Sequence, residues 1–239
     1  MDYKHYIITI FNYPNDYPHL KERFNIFNNF TKPSIEAQSN KNFTWIILAN
    51  PNHISLFNEF KGVDAHIVKG EIHNQRLPSV SSVAKAIYPF INSKPLPQYI
   101  ISTRICNDDA IHEDFIKLTQ EKFLNNISSR LLDYKGYRYL VNTKTLYTQE
   151  KYHSKFPSPF CSLVYKNDYQ PLTIDVKRPA PPQVVIEYPH NDLHKFHPLV
   201  LINEERMWCQ LIHDHNLLMK GEGTLKVSLD NLKFFNISK

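Results

Sequence analysis

Apolar residues fall into two rhythms along this chain: short solid runs, and runs spaced three or four residues apart. Residues 4–13, with Tyr6, Ile7, Ile8, Ile10 and Phe11, predict a first strand closed by Pro14, Asn15 and Asp16. From Leu20 to Gln38 the apolar positions Phe24, Phe27, Ile35 and Ala37 predict a helix that Pro33 breaks or kinks. A second strand is predicted at Phe43–Ala49, a short helix at Ile54–Phe60, a third strand at Ala65–Val68 and a helix at Ser79–Ile91. The loop from Lys94 to Gln98 then leads into a fourth strand that starts at Tyr99. This alternation of strand and helix predicts a parallel sheet with helices on both faces.

The rhythm changes after residue 110. Ile111–Ile127 reads as an amphipathic helix, while Leu131–Val141 and Thr145–Thr148 alternate as hairpin strands do. Phe160–Tyr165 and Gln183–Tyr188 predict further short strands, with a stiff loop at Lys177–Pro182 between them. Glu204–His213 reads as a late helix carrying Met207, Trp208, Leu211 and Ile212. The tail alternates again at Thr224–Leu229, and Asn236–Lys239 is expected to fray. The expectation is one α/β domain, residues 1–239, with a nucleotide-binding half at 1–110 and a mixed half of hairpins and a late helix at 111–239.

Composition narrows this further. A hydrophobic fraction of 42% is enough for a folded core, and the net charge of +5 is spread without a basic run, which argues against a dedicated nucleic-acid binder and suits an anionic small ligand. No stretch is long enough to span a bilayer and no signal-peptide core opens the chain, so a cytoplasmic protein is expected, with peripheral membrane contact left open. Three scattered cysteines give no disulfide framework. With five glycines, neither a Walker motif nor a dinucleotide fingerprint can be written on the chain.

The chemistry gathers where the fourth strand runs out, at Arg104, Asn107, Asp108 and Asp109. Ligands of open α/β sheets bind outside the carboxyl ends of the strands. Two adjacent carboxylates repel each other, and a divalent cation bridging to a diphosphate would relieve them; hard oxygen ligands suit Mg²⁺ or Mn²⁺. The alternative is that Asp109 caps the following helix. Arg104 could hold a phosphate or pair with Asp108. A zinc cluster of Cys209, His213 and His215, with Cys209 and His213 on one helix face, is a competing reading that no paired Cys-x-x-Cys supports.

An ordered set of residues carries a resemblance: Phe11 and Asn12; Pro33, Ser34, Ile35 and Gln38; Phe43, Trp45 and Ile46; Thr103, Arg104, Asn107, Asp108, Asp109, Ala110 and His112; Gly136 and Tyr137; Pro159, Phe160, Ser162 and Leu163; Met207, Trp208, Gln210, Ile212, His213 and Asn216. In this order they resemble the bacterial putative rhamnosyltransferase family, GT-A-type glycosyltransferases. The chain departs from that pattern twice: Cys106 stands where the acidic turn tends to begin with Asp, and Ile10 where an Arg tends to precede Phe11.

The resemblance implies a GT-A-like fold and a metal-dependent transfer of a sugar, rhamnose by analogy, from a nucleoside-diphosphate sugar to a glycan or glycolipid acceptor. It implies Asp109, Asp108 and His213 as ligands of Mn²⁺ or Mg²⁺, and Phe11, Asn12, Arg23, Arg104, Asn107 and Asp108 as donor contacts. Arg23 alternatively reads as a solvated helix-face charge. Glu205, Glu204 and Asp192 are the carboxylates that could deprotonate the acceptor, and Tyr137 and Trp208 could stack on base or sugar. Inversion is expected because no nucleophile–base pair is evident. A nucleotidyltransferase and a non-catalytic glycan-binding descendant are the alternatives; the loop after Phe11, which lacks glycine, counts against the first.

Overall fold

Three branched or aromatic runs form the parallel heart of the sheet. β1 (Tyr3–Phe11) pairs in parallel with β2 (Thr44–Ala49) on one side and β4 (Tyr99–Cys106) on the other, and β2 pairs in parallel with β3 (Ala65–Lys69). Both faces of β1, β2 and β4 are buried, which is why their sequences are solid apolar runs. In this computed structural model the described residues are 1–11, 17–57, 60, 65–69, 87, 89, 95–149, 157–167, 185–186, 190–214 and 224–237, without the side chains of 65–69, 191 and 203–205. Asn12, His215, Asn216 and nearly all of the predicted helix at 79–91 lie outside them.

Beyond β4 the sheet turns mainly antiparallel. β5 (Asp109–Ile111) is a short strand, followed by β6 (Arg130–Leu140), β7 (Thr145–Gln149), β8 (Ser162–Lys166), β9 (Leu199–Ile212) and β10 (Lys226–Val227). The order is β10-β7-β6-β8-β4-β1-β2-β3, with β9 joining β6 in parallel and β5 antiparallel. Of the predicted strand at 183–188, the described residues Val185 and Ile186 form a buried turn.

The late helix predicted at Glu204–His213 is a strand, the second half of β9. Met207, Trp208, Cys209 and Leu211 are all fully buried, so β9 is covered on both faces. A two-sided apolar strand has no alternation, and its sequence imitates a buried helix.

Helices cover both faces. On one side, α1 (Leu20–Ile26), a π-helical turn (Phe27–Thr31) and α2 (Lys32–Glu36) run on continuously. A proline ring inside a helix clashes with the preceding turn and supplies no N–H. Here the turn before Pro33 widens, and the Lys32 N–H reaches back five residues to the Phe27 carbonyl. These helices and α3 (Phe115–Asn125) pack Phe27, Ile35, Phe115 and Phe123 against Ile7, Phe11, Trp45 and Ile101. The opposite face buries Ile8, Ile46, Ile100 and Leu163 beneath Ile87, Val185 and Leu193, the last on α4 (His190–Leu193). The short helix predicted at Ile54–Phe60 is a 3₁₀ helix at Pro51–Phe57.

Two expected ends move. α3 starts at Phe115 rather than Ile111, because residues 109–111 pair with β9. The tail does not fray through its described part: Leu229–Phe235 forms a 3₁₀ helix, and Leu232, Phe235 and Ile237 are buried against Ala110, Cys209 and Leu211. Among the described residues no helix is long and apolar enough to cross a membrane.

Candidate functional site

The acidic turn is anchored before it does any chemistry. Asn107 is buried and its Nδ2 donates to the Ile10 carbonyl at 2.7 Å, tying the exit of β4 to the end of β1. Asp109 then opens β5, and its Oδ1 accepts the Leu211 N–H of β9 at 3.0 Å. It is not the cap of α3. That role falls to Gln38, whose Oε1 accepts the Ile116 N–H at 3.0 Å while its Nε2 donates to the His112 carbonyl at 2.7 Å. Ser34 helps in the same way, accepting the Ile111 N–H at 3.2 Å.

Around Asp108 three parts of the chain converge. Arg23 of α1 donates to Asp108 Oδ2, and His213, just past the end of β9, sets its Nε2 at 3.3 Å from the same oxygen. Arg23 Nη1 and His213 Nε2 are 3.4 Å apart. Both side chains are nearly fully buried, at 3% and 5% exposed. Arg23 is therefore not a solvated helix-face charge; a guanidinium withdrawn from water requires a charged partner, and Asp108 is that partner.

The two carboxylates are poised differently. Burial by itself would raise the Asp108 carboxyl, but the His213 hydrogen bond and the Arg23 charge outweigh it and hold the group below its ordinary value. Asp109 lies well above its ordinary value, through burial first and the charge of Asp108 second, with the Leu211 N–H offsetting only part. The turn thus has one carboxyl held toward its charged form by His213 and Arg23, and one that burial and the Asp108 charge push toward its neutral form.

Cys106 completes the cluster. Its Sγ and the carboxylate oxygens of Asp108 and Asp109 all lie within 4.8 Å of one another. Burial pushes its thiol up to about 12, against the pull of Arg104, which hydrogen-bonds it. Arg104 thus leans on Cys106, the residue two places on. Cys106 is also the register partner of Ile10 across β4 and β1, so the two positions that depart from the resemblance are neighbours in the sheet.

The other candidates are dispersed. The Phe11 ring is fully buried among Phe24, Phe27 and Phe57, which leaves its backbone as the part able to meet a donor. Tyr137 packs edge-on to Phe235 and beneath the Arg206 guanidinium. Trp208 stacks on Phe160 at 4.6 Å and donates to the Tyr134 carbonyl at 2.7 Å, so it is core. Glu204 and Glu205 lie mid-strand in β9 rather than opening a helix, and their side chains are outside the described set. Asp192 of α4 pairs with Lys195, two residues past the end of that helix, at 2.5 Å. The zinc reading loses its geometry: Cys209 and His213 share no helix face, and Cys209 is packed among Ala110, Leu211 and Leu232. The approach of Arg23 to Asp108 was hidden in the sequence; its one signal was an arginine on the inward side of an amphipathic helix.

The donor set fits a divalent cation. The Cys106 thiol and the Asp108 and Asp109 carboxylates lie within reach of one point, with His213 Nε2 beside Asp108, and hard carboxylate oxygens suit Mn²⁺ or Mg²⁺.

Comparison with known proteins bears on the fold and the family. Residues 1–349 of TarS from S. aureus superpose with a TM-score of 0.51 at 10% identity, over 87% of this chain and 60% of that one. A longer TarS structure gives 0.48 at 11% identity, over 87% of this chain and 37% of that one. A protein from Desulfovibrio desulfuricans G20, described as a "putative nucleotide-diphospho-sugar transferase", gives 0.41 at 9% identity, over 88% and 82%. The chain spans 60% or less of either TarS structure, and at such identities the likeness to TarS 1–349 shows the fold alone, a GT-A-type α/β fold. None of the curated proteins compared with the chain matches it. The family profile described as "Putative rhamnosyl transferase" matches residues 13–220, and the chain therefore belongs to that family of glycosyltransferases.

Proposed function

We propose that this protein transfers a sugar, rhamnose by family, from a nucleoside-diphosphate sugar to a hydroxyl of a glycan or glycolipid acceptor, with inversion and with Mn²⁺ or Mg²⁺ at the acidic turn. Residues 1–110 would serve the donor and residues 111–239 the acceptor, within one domain. A cytoplasmic setting suits such a donor, and the three cysteines are free thiols, as a reducing compartment allows.

The observation that carries the reading is the unequal pair. Asp108 is already matched by Arg23 and His213, whereas Asp109, one residue on, is buried and pushed toward its neutral form by that burial and by Asp108. Asp109 and His213 would hold the ion, with Asp108 sharing it and Cys106 at its margin; the ion would supply positive charge to the leaving diphosphate. Arg23 holds Asp108 in place and adds a fixed positive charge where the diphosphate would lie. In the transfer the anomeric carbon–oxygen bond to the diphosphate breaks, the acceptor oxygen bonds to that carbon from the opposite face, and the acceptor proton passes to a carboxylate. Glu204, Glu205 and Asp192 are the carboxylates proposed for that proton.

A thermal-shift panel of UDP, GDP, dTDP and CMP, each with Mn²⁺ and with EDTA, tests the reading. One diphosphate should stabilise the chain well beyond the others, and only with metal; at about a hundred times its Kd the gain is roughly 2.7 kcal/mol. Equal response to every nucleotide, or indifference to EDTA, would refute the diphosphate site. Glu204→Gln, Glu205→Gln and Asp192→Asn should keep that binding. One of them should lose about 10²–10⁴-fold in transfer, and full activity in all three would exclude them as the base.

A further inference from the structure

Arg23 and His213 reach Asp108 from opposite ends of the chain and meet at one atom. The Arg23 guanidinium donates to Asp108 Oδ2, His213 Nε2 stands 3.3 Å from that same oxygen, and Arg23 Nη1 lies 3.4 Å from His213 Nε2. A single guanidinium nitrogen therefore touches both the carboxylate oxygen and the ring nitrogen.

Those are the two atoms by which Asp108 and His213 would share an ion. Metal–oxygen and metal–nitrogen bonds are about 2.0–2.4 Å long, so an ion bonded to both atoms would lie no more than about 4 Å from Arg23 Nη1, on whichever side it sat. A guanidinium and a divalent cation that close, in a place nearly withdrawn from water, repel strongly. The ion and the guanidinium are thus rivals for one seat. Arg23 is built to leave it. Its helix α1 is held by Phe24 and Phe27 packed into the core, so the long arginine stem can swing outward while the helix stays where it is.

We propose that Arg23 is a resident cation that the metal displaces: its guanidinium holds Asp108 and His213 together until Mn²⁺ or Mg²⁺ takes its place. The inference rests on the metal-and-donor reading given above and makes the Arg23 charge movable, held at Asp108 before the ion arrives and free for the diphosphate afterwards. Arg23 then sets how tightly the ion binds, because binding includes the cost of breaking the Arg23–Asp108 pair.

The test is titration of the full chain with Mn²⁺ and no nucleotide, the unbound ion being counted by its paramagnetic resonance. Arg23→Met, of similar length but uncharged, should bind Mn²⁺ more tightly than the wild type by about tenfold or more. Equal or weaker binding by the variant would overturn the proposal, and a residue that merely braced the fold could not produce the gain. If Arg23→Met does not fold, the wild type decides through phenylglyoxal, which modifies accessible guanidinium groups. Arg23, 3% exposed, should resist the reagent in EDTA, react once Mn²⁺ is bound, and be shielded again when the diphosphate that binds (UDP, GDP or dTDP) is added with the metal. Continued resistance with Mn²⁺ alone would overturn the proposal, and so would continued reaction under the diphosphate. A wild type that does not respond to Mn²⁺, alone or with any of the three diphosphates, would instead refute the metal reading, and this proposal with it.

Discussion

At the scale of single residues, several side chains that a sequence reader would assign to catalysis turn out to hold the frame. His5 is a clear case. It is buried in β1, its Nε2 lies 2.9 Å from Thr103 Oγ1, and Thr103 Oγ1 lies 2.6 Å from Ser162 Oγ, a chain across β1, β4 and β8. Gln120 fixes the tautomer. Its Oε1 accepts from Tyr3 and Asn40, so its Nε2 is the atom that donates to the Asn42 carbonyl and faces His5 Nδ1 at 3.4 Å. A proton on Nδ1 would meet an N–H there, and burial pushes the imidazole from 6.5 down to about 3. The unfolded chain therefore binds more protons than the folded one between those values. Stability from neutral His5 is fully present above about pH 6.5 and is lost as pH falls, by at most about 1.4 kcal/mol per pH unit. His5→Gln, which cannot take up that proton, should flatten the acid limb of a urea-midpoint profile between about pH 6.5 and 4.5. An unchanged slope would assign acid lability to other groups.

At the scale of elements, the pairing of β5 with β9 is what brings the two halves of the chain to one place. It puts Asp109 against Leu211 and leaves His213 beside Asp108, although the two are 105 residues apart. If one ion joins them, Asp109→Asn and His213→Ala should each weaken Mn²⁺-dependent nucleotide binding, and the double variant should lose less than the sum. Strict additivity in calorimetry would show that they do not share an ion. The parallel strands were legible in the sequence because solid branched runs between helices admit few other readings, and the acidic turn was legible because two adjacent carboxylates stand outside the carboxyl end of a buried strand, where open α/β sheets hold ligands. β9 was not legible. Its two buried faces erase the period that separates strand from helix, and the pairing with β5 that would have settled the matter lies about 100 residues away. Ser34, Gln38 and Trp45, quoted for the resemblance, serve the frame: Trp45 donates to Thr9 at 3.1 Å, and the other two hold β5 and α3. Gly136 is there for space, since a Cβ at that position would fall inside the Trp208 ring.

At the scale of the whole molecule, the last described turn closes over the way out of the acidic turn. The Phe234 carbonyl accepts the Glu113 N–H at 2.8 Å, and the His112 ring stacks on Phe234 at 5.3 Å with Phe235 edge-on at 5.7 Å. Phe235 is buried, whereas Phe234 is 36% exposed. Phe235→Ala should cost about 3–5 kcal/mol in denaturant unfolding, the usual range for a buried aromatic, and Phe234→Ala much less. Equal losses would mean that the tail is held by its backbone rather than by this core. The arrangement also bears on how the chain is made. Synthesis delivers residues in order, and β9, His213 and this tail leave the ribosome well after the strand that ends in Cys106, Asp108 and Asp109. Until they arrive, β5 lacks β9, the strand it pairs with, and Asp108 lacks His213. A polypeptide released early, short of β9, would carry the acidic residues without the strand that pairs with β5 and without the histidine beside Asp108.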